Sequence, residues 1–190
     1  QNDATDNQLG NSYHVITNDG NELSSTAILD GFTISGGNAD GVNTFEGDGG
    51  GMINIGASPL VRNCTFIDNM ATRGAGVFNT SSAPTFLDCR WLENTAGLSG
   101  GGLYNDFSDP TITNCVFEQN QSNENGGGIS NLETSAPVLT NCGFLNNEAL
   151  LNGGGMYNQN GAAPLLLNAS FTINDAGNEG GAGFNDSGVE

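Results

Sequence analysis

Short runs of alternating apolar and polar residues fill most of this chain, and no segment keeps a helical spacing of apolar residues over ten positions. In one stretch, Val61, Cys64 and Phe66 are the apolar members of two such runs. Successive side chains of a strand point to opposite faces, and Val61 differs in parity from the other two, so the chain must turn between them. Asn63 stands at that corner, and asparagine tolerates the left-handed backbone of a tight bend. The pattern therefore predicts short strands separated by sharp corners.

This pattern repeats with a nearly constant period. Five residues after each proline stands a cysteine or an alanine, an aromatic residue follows two positions later, and an asparagine three positions after that. A glycine cluster, an apolar residue and a second asparagine complete the unit. A fixed period of roughly 20–50 residues is typical of a solenoid, a propeller or an array. The prolines, at intervals of 25, 26, 27 and 27 residues, are Pro59, Pro84, Pro110, Pro137 and Pro164.

The length of the repeat favours one of these architectures. A propeller blade needs roughly 40 residues. A unit of 25–27 residues instead suits one coil of a parallel β-helix, in which each coil lies about 4.8 Å above the last. We predict an all-β parallel β-helix of about six coils, each with three short strands. Residues 1–26 are predicted to form a polar N-terminal arm plus a first isolated strand, and residues 27–190 the β-helix.

Equivalent residues of stacked coils are expected to form columns. The aromatic residues should stack inside the solenoid. The asparagines after the glycine clusters should pass amide hydrogen bonds from coil to coil, because polar groups buried without partners are costly. The predicted aromatic column is Phe66, Trp91, Phe117, Phe144 and Phe171, and the predicted asparagine column is Asn79, Asn105, Asn131 and Asn158.

The cysteines occupy one more predicted column. A tetrahedral metal site needs side chains that converge on one point, and a disulfide needs a particular Cβ geometry, whereas parallel neighbours point the same way. Ala169 and Phe32 fill the same position in other coils, which also favours packing. We interpret the cysteines as buried free thiols, with disulfides or a metal site as the alternatives. They are Cys64, Cys89, Cys115 and Cys142.

The charge balance argues against two classes of partner. The chain has 3 Lys+Arg, none of them lysine, against 21 Asp+Glu, which gives a formal net charge of −18. Such a chain repels phosphate backbones and anionic lipids, so we expect no nucleic-acid partner. No apolar run approaches the roughly 18 residues of a membrane span, so direct membrane insertion is not expected either. The chain starts at Gln1 without a basic and apolar leader, which favours a processed or excised piece of a secreted protein.

One irregular segment, residues 38–48, joins its corner to the glycines by a longer connection than the other coils use. Asp40, Glu46 and Asp48 make this segment rich in carboxylate oxygens, the ligands that Ca²⁺ prefers. The segment therefore predicts a calcium site, and a solvated acidic loop without a metal is the alternative. We expect no other cofactor.

Candidate catalytic side chains are few. Asp68 and Glu93 are equivalent positions of neighbouring coils, and a pair of carboxylates is what a glycoside hydrolase uses. The next members of that column are Gln119 and Asn146, so an outward polar ladder is the favoured interpretation. We interpret the cations beside the cysteines as surface counter-charges. They are Arg62 and Arg90.

Two short motifs recur together along the chain. The first reads FIDN, FEQN, FLNN and FTIN, with WLEN at Trp91, and the second reads GAGV, GGGL, GGGI, GGGM and GAGF. Over residues 27–186 they resemble the right-handed β-helix repeats of the pectin-lyase-like fold, and most of all those of polymorphic outer-membrane proteins of bacteria. The resemblance implies a right-handed solenoid in a secreted or cell-surface bacterial protein with an adhesive or structural role. It also implies polysaccharide lyases and hydrolases among the relatives.

These features favour a non-catalytic extracellular structural or adhesive solenoid that stacks end to end into a fibre or stalk. The expected partners are further copies of the chain, and surface glycans or other cell-surface proteins. The alternative function is carbohydrate binding, or polysaccharide cleavage by a lyase or hydrolase. A piece cut from a longer solenoid explains the repeat at both ends equally well.

Overall fold

The computed structural model describes residues 12–20, 23–43 and 45–186. Over these residues the chain is an all-β solenoid of 25 strands, with no helix among them. The strands form four parallel sheets, here called A to D. The chain passes through sheets A, B, C and D in turn and then returns to sheet A one strand further along the solenoid.

The strands are numbered in chain order and described sheet by sheet. Sheet A contains β1 (Ile16–Asp19), β5 (Met52–Ile55), β9 (Val77–Thr80), β13 (Leu103–Asp106), β17 (Ile129–Leu132), β21 (Met156–Asn158) and β25 (Gly183–Asn185). Sheet B contains β2 (Ile28–Asp30), β6 (Leu60–Arg62), β10 (Thr85–Leu87), β14 (Thr111–Thr113), β18 (Val138–Thr140) and β22 (Leu165–Leu167). Sheet C contains β3 (Thr33–Ser35), β7 (Thr65–Ile67), β11 (Arg90–Leu92), β15 (Val116–Glu118), β19 (Gly143–Leu145) and β23 (Ser170–Thr172). Sheet D contains β4 (Asn38–Ala39), β8 (Met70–Arg73), β12 (Thr95–Ser99), β16 (Gln121–Ser122), β20 (Glu148–Ala149) and β24 (Asp175–Ala176).

Each strand pairs in parallel with the equivalent strand of the next coil, so the predicted parallel β-helix is confirmed. Strand β1 pairs with β5 and is the first strand of sheet A, while residues 1–11 of the predicted arm lie outside the described residues. The expectation of three strands per coil was wrong, because sheet D supplies a fourth. The inward side chains of sheet D are small, as at Ala71, Ala96 and Ala149, so no column of large inward residues marks these strands in the sequence.

The core lies inside the four sheets and is built of columns. Fully buried side chains of this size each stabilise the fold by about 1.5–3 kcal/mol relative to exposure. The inward column of sheet A is Met52, Val77, Leu103, Ile129 and Met156, and that of sheet B is Val61, Phe86, Ile112 and Leu139.

Left-handed backbone marks two corners of the coil. Asparagine or aspartate stands at the corner between sheets B and C, as the sequence predicted. The corner between sheets C and D also has positive φ, at 52° for Asp68 and 54° for Glu93, which the sequence did not reveal. The first set, with φ of 52–55°, is Asn63, Asp88, Asn114, Asn141 and Asn168.

The glycine clusters connect sheet D to sheet A, where neighbouring coils approach closely. A Cβ atom on Gly102 would lie 2.7 Å from the carbonyl oxygen of Gly128 and 3.0 Å from the ring of Phe117. No side chain fits there without moving backbone, so the glycine is required by the adjacent coil.

Candidate functional site

The aromatic residues of sheet C form one continuous stack. Neighbouring ring centroids lie 4.5–5.4 Å apart, and the ring planes differ by 5–13°. Trp91 is the one indole in the stack, and its N–H is buried without a hydrogen-bond partner. The stack fills the interior and leaves the rings unavailable to a ligand. Its members are Phe66, Trp91, Phe117, Phe144 and Phe171.

The asparagines of sheet A form a hydrogen-bonded ladder. Each side-chain Nδ2 donates to the Oδ1 of the asparagine in the next coil, at 2.7–2.9 Å. Asn18 and Asn54 extend the ladder toward the N-terminal end and Asn185 toward the other end. The members that the sequence predicted are Asn79, Asn105, Asn131 and Asn158.

A second buried ladder follows sheet C, and the sequence interpretation missed it. Asn94 shows its pattern, since its Nδ2 donates to Asn120 Oδ1 at 2.9 Å and to the carbonyl oxygen of Phe66 at 3.0 Å. The repeated asparagine three residues after each aromatic residue was its visible signal. The members are Asn69, Asn94, Asn120, Asn147 and Asn174.

The four cysteines are buried free thiols. The thiol of Cys142 lies 3.5 Å from the carbonyl oxygens of Ile112 and Thr140, which accept its weak hydrogen bond. Burial raises the pKa of Cys142 and of Cys64 above the ordinary thiol value. Because a thiol must lose its proton to act as a nucleophile or a metal ligand, burial disfavours both roles at Cys64 and Cys142. The column is Cys64, Cys89, Cys115 and Cys142.

The three carboxylates of the predicted calcium site bind separate partners. Glu46 Oε2 accepts a hydrogen bond from Asn43 Nδ2 at 2.7 Å. Asp40 Oδ2 accepts one from Asn38 Nδ2 at 3.3 Å. Among the residues that the structure describes, no group of three or more His, Cys, Asp or Glu side chains could hold a metal ion. These three carboxylates therefore do not form one group in the described structure, and the calcium site stays a prediction.

Asp48, the third of these carboxylates, forms a salt bridge with Arg73. The guanidinium donates from Nε at 2.8 Å and from Nη2 at 2.7 Å, and the Asp48 side chain is only 4% exposed. These hydrogen bonds raise the pKa of Arg73, which stays charged. The guanidinium also lies 5.3 Å from the ring centroid of Phe78 and 5.5 Å from that of Tyr104. The pair anchors the irregular segment to the outer surface of sheet A. The sequence could not show this contact, because it joins two coils.

The other charged candidates lie on the surface. Asp68 and Glu93 are exposed at left-handed corners. Arg62 pairs with Asp30, with its Nη2 2.9 Å from the carboxylate. The remaining pair, at 2.6 Å, is Arg90 with Glu118.

The outer face of sheet A carries aromatic residues that stack on one another. The rings of Phe78 and Tyr104 are 5.3 Å apart, and those of Tyr157 and Phe184 are 5.9 Å apart. Tyr104 is 4% exposed and Tyr157 is 5% exposed, so their ring faces are covered. Burial, together with a hydrogen bond to Asp186, raises the pKa of Tyr157 to about 12.

Two clefts open on the outer face of sheet D and share Thr72. Their volumes are about 510 and 270 Å³. The irregular segment forms a wall of both clefts, so the longer connection shapes a concave surface. The larger cleft includes Val42, Asn43, Thr72, Arg73 and Leu98, and the smaller includes Asp40, Met70, Thr72 and Thr95.

The apolar core reaches the surface at both ends of the described solenoid. Leu166 ends the inward column of sheet B at 39% exposure, and Phe171 ends the aromatic stack half-buried. At the N-terminal end, a cleft of about 140 Å³ opens between sheets A and B, with Ile16 and Leu29 in its lining. The columns are therefore uncapped by the described residues.

This architecture defines a parallel β-solenoid. A family model described as "Right handed beta helix region" matches residues 2–176. The chain belongs to this right-handed β-helix family, as the resemblance predicted. Comparisons with curated proteins and with solved structures gave no match. In the part of the chain that the structure describes, no helix has the length and apolar character needed to cross a membrane.

Proposed function

We propose that this chain is a non-catalytic structural or adhesive element of the extracellular space or of a bacterial cell surface, and that its solenoids associate end to end. The observation that carries the proposal is the pair of apolar column ends that the described residues leave uncovered, Leu166 with Phe171 at one end and Ile16 with Leu29 at the other. Exposed strand edges and open apolar columns favour the addition of a further coil. A second copy supplies that coil.

The side chains that an enzyme of this fold would need support the non-catalytic assignment. The related lyases imply a basic residue that accepts a proton, and each of the three arginines here is ion-paired with a carboxylate. Each guanidinium is therefore already bound to a carboxylate. Asp68 and Glu93 stand at exposed corners and not inside either cleft. The proposal therefore assigns the chain a mechanical or adhesive role.

Analytical ultracentrifugation with electron microscopy tests the assembly. Over increasing protein concentration and at about 0.15 M salt, where surface repulsion is screened within about 8 Å, we expect rods that lengthen in steps of one chain. Leu166→Glu should prevent lengthening, because it places a charge on an apolar column end. Thr113→Glu, in strand β14 in the middle of the same sheet, is the matched control and should leave assembly intact. Monodisperse short rods that cleave acidic glycans would contradict the proposal.

A second candidate function, glycan binding, rests on the two clefts of sheet D. They combine hydroxyl groups of Thr72 and Thr95 with apolar Leu98 and Met70, a mixture that suits a neutral sugar. Calorimetric titration with neutral and acidic oligosaccharides tests this function. Thr72→Val should abolish binding of a neutral sugar, and no binding of any oligosaccharide would remove the candidate.

A further inference from the structure

Two adjacent leucines are exposed on the side of the solenoid, immediately after β20 in sheet D. Leu150 is 54% exposed and Leu151 is 39% exposed. Backbone hydrogen bonds fix both residues against the preceding coil, because Leu150 N–H donates to the carbonyl oxygen of Ser122 at 3.0 Å and Leu151 N–H to that of Glu124 at 2.8 Å. These two residues are here called the leucine patch. The patch is an apolar surface on a rigid part of the fold.

The coil does not require leucine at these two positions. In the coils on either side the equivalent positions hold polar residues or glycine, and the same backbone hydrogen bonds form there. The glycine presents no side chain beside Leu150, so the apolar surface of that leucine stays open toward the next coil. The leucine patch is therefore not explained by packing within the chain. The equivalent residues are Asn123 and Glu124 in the preceding coil, and Gly177 and Asn178 in the following coil.

Three carboxylates surround the leucine patch. Glu148 is exposed two residues before Leu150, Asp175 lies beside Glu148 in the following coil, and Glu124 lies beside Leu151 in the preceding coil. Each of the three arginines of the chain is ion-paired with another carboxylate, and the chain has no lysine. Within the described residues, no arginine or lysine neutralises this acidic rim. The surface thus combines exposed apolar side chains with uncompensated negative charge.

We propose that the leucine patch and its acidic rim are a docking surface for a basic amphipathic segment of another protein. Apolar side chains of that segment cover the two leucines, and its lysines or arginines pair with the surrounding carboxylates, so the charges of the two surfaces are complementary. A second copy of this chain offers no free cation to the rim, because it has no lysine and pairs its arginines. An anionic membrane is repelled. The docking surface lies on the side of the solenoid and does not depend on end-to-end association.

Calorimetric titration of the full chain with two synthetic peptides provides the first test. One peptide contains leucine and lysine at helical spacing, so that all its leucines lie on one face. The other has the same composition in scrambled order and therefore the same charge. The amphipathic peptide should bind at least about tenfold more tightly than the scrambled peptide. Equal affinities would overturn the proposal, because net charge alone would then account for binding, and so would the absence of any binding.

Variants of the chain provide the second test and locate the binding. Leu150→Ser combined with Leu151→Ser should weaken binding of the amphipathic peptide about tenfold, because the exposed half of each side chain is no longer buried in the complex. Val116→Ser is the matched control, since Val116 is 37% exposed on sheet C, and it should leave the affinity unchanged. Near-ultraviolet circular dichroism checks that each variant remains folded. Equal effects of the control and the leucine variant, or no effect of either, would show that the leucine patch is not the docking surface.

The charge contribution is tested separately. Glu148→Gln should weaken binding at low salt, and the difference should disappear at about 1 M salt, where the screening length falls to about 3 Å. A loss that persists at high salt would contradict pairing between this carboxylate and the peptide. Leu166→Glu, which tests end-to-end association, should leave peptide binding unchanged. Failure of the docking surface and failure of end-to-end association are therefore measured independently.

Discussion

The buried amide ladder of sheet A allows a prediction whose magnitude follows from the structure. Asn105 accepts a hydrogen bond from Asn79 at 2.9 Å and donates one to Asn131 at 2.8 Å, and all three side chains are fully buried. Asn105→Ala leaves one donor and one acceptor without partners. Each buried unsatisfied group costs about 1–3 kcal/mol, so the free energy of unfolding should fall by about 2–6 kcal/mol. That is a large part of the roughly 5–15 kcal/mol that stabilises a typical domain.

An exposed amide ladder at the corner between sheets B and C supplies the matched control. Asn114 donates to Asp88 at 3.1 Å and accepts from Asn141 at 3.0 Å, so it makes the same two kinds of contact as Asn105. Water replaces these contacts when the side chain is removed, because the ladder is exposed. Asn114→Gly also preserves the left-handed φ of 54°, which glycine adopts without strain. Its cost should stay below about 1 kcal/mol.

Urea unfolding followed by the fluorescence of Trp91 measures both variants. The expected difference in stability comes from burial, because Asn105 and Asn114 each make two side-chain hydrogen bonds within their ladders. Equal losses of stability in Asn105→Ala and Asn114→Gly would show that the ladder contributes only its pairwise contacts. A loss below about 1 kcal/mol for Asn105→Ala would show that the buried amides find other partners.

Further predictions concern packing and charge. Gly102→Ala should abolish folding, as judged by circular dichroism. Gly97→Ala should be tolerated, because its Cβ would meet nothing closer than 3.7 Å. Burial raises the pKa of Asp106, so its charged form is disfavoured in the fold, and stability is lost as pH rises through the folded pKa. Asp106→Asn should therefore raise the melting temperature at neutral pH, and the gain should disappear near pH 3, where Asp106 is mostly protonated in both states. Trp91→Phe should change the free energy of unfolding by less than about 1 kcal/mol in urea titration, because removing an unpaired N–H offsets the lost ring volume. EDTA should not shift the melting temperature if Asp48 stays paired with its arginine, whereas a fall would indicate a bound cation.

Most of the fold could be predicted from the sequence because the repeat places equivalent residues at equivalent positions. A proline, a cysteine and an aromatic residue in constant phase define two strands and the corner between them. The strands of sheet D could not be predicted, because the residues that point inward there are as small as Ala71 and Ala96. Such small residues do not produce an alternation of large apolar and polar positions. The amide ladder along sheet C could not be predicted for a related reason. Asn94 could be recognised as a repeated residue, but its burial depends on where sheet D begins.

In the irregular segment, residues 38–48, the local sequence did not reveal a contact with the next coil. Three carboxylates within nine residues suggest a cation site when the segment is considered alone. The structure brings Arg73 of the next coil to Asp48, whose carboxylate forms an ion pair with the guanidinium. Such contacts depend on which outward side chains of neighbouring coils lie beside each other. An insertion shifts residues out of the repeat, so these neighbours can no longer be predicted from the sequence.

The direction of the buried amide ladders has an electrical consequence. In both internal ladders the hydrogen bonds between side chains run toward the C-terminal end, as from Asn79 to Asn105 and from Asn94 to Asn120, although in the sheet C ladder the same Nδ2 also donates to a carbonyl oxygen of the preceding coil. The exposed ladder runs the other way, from Asn141 to Asn114, but there water screens its field. The side-chain dipoles of the interior therefore add along the axis, and hydrogen bonds in such chains polarise one another. The interior amides thus give the solenoid a dipole component along its axis, in addition to the field of its charged surface.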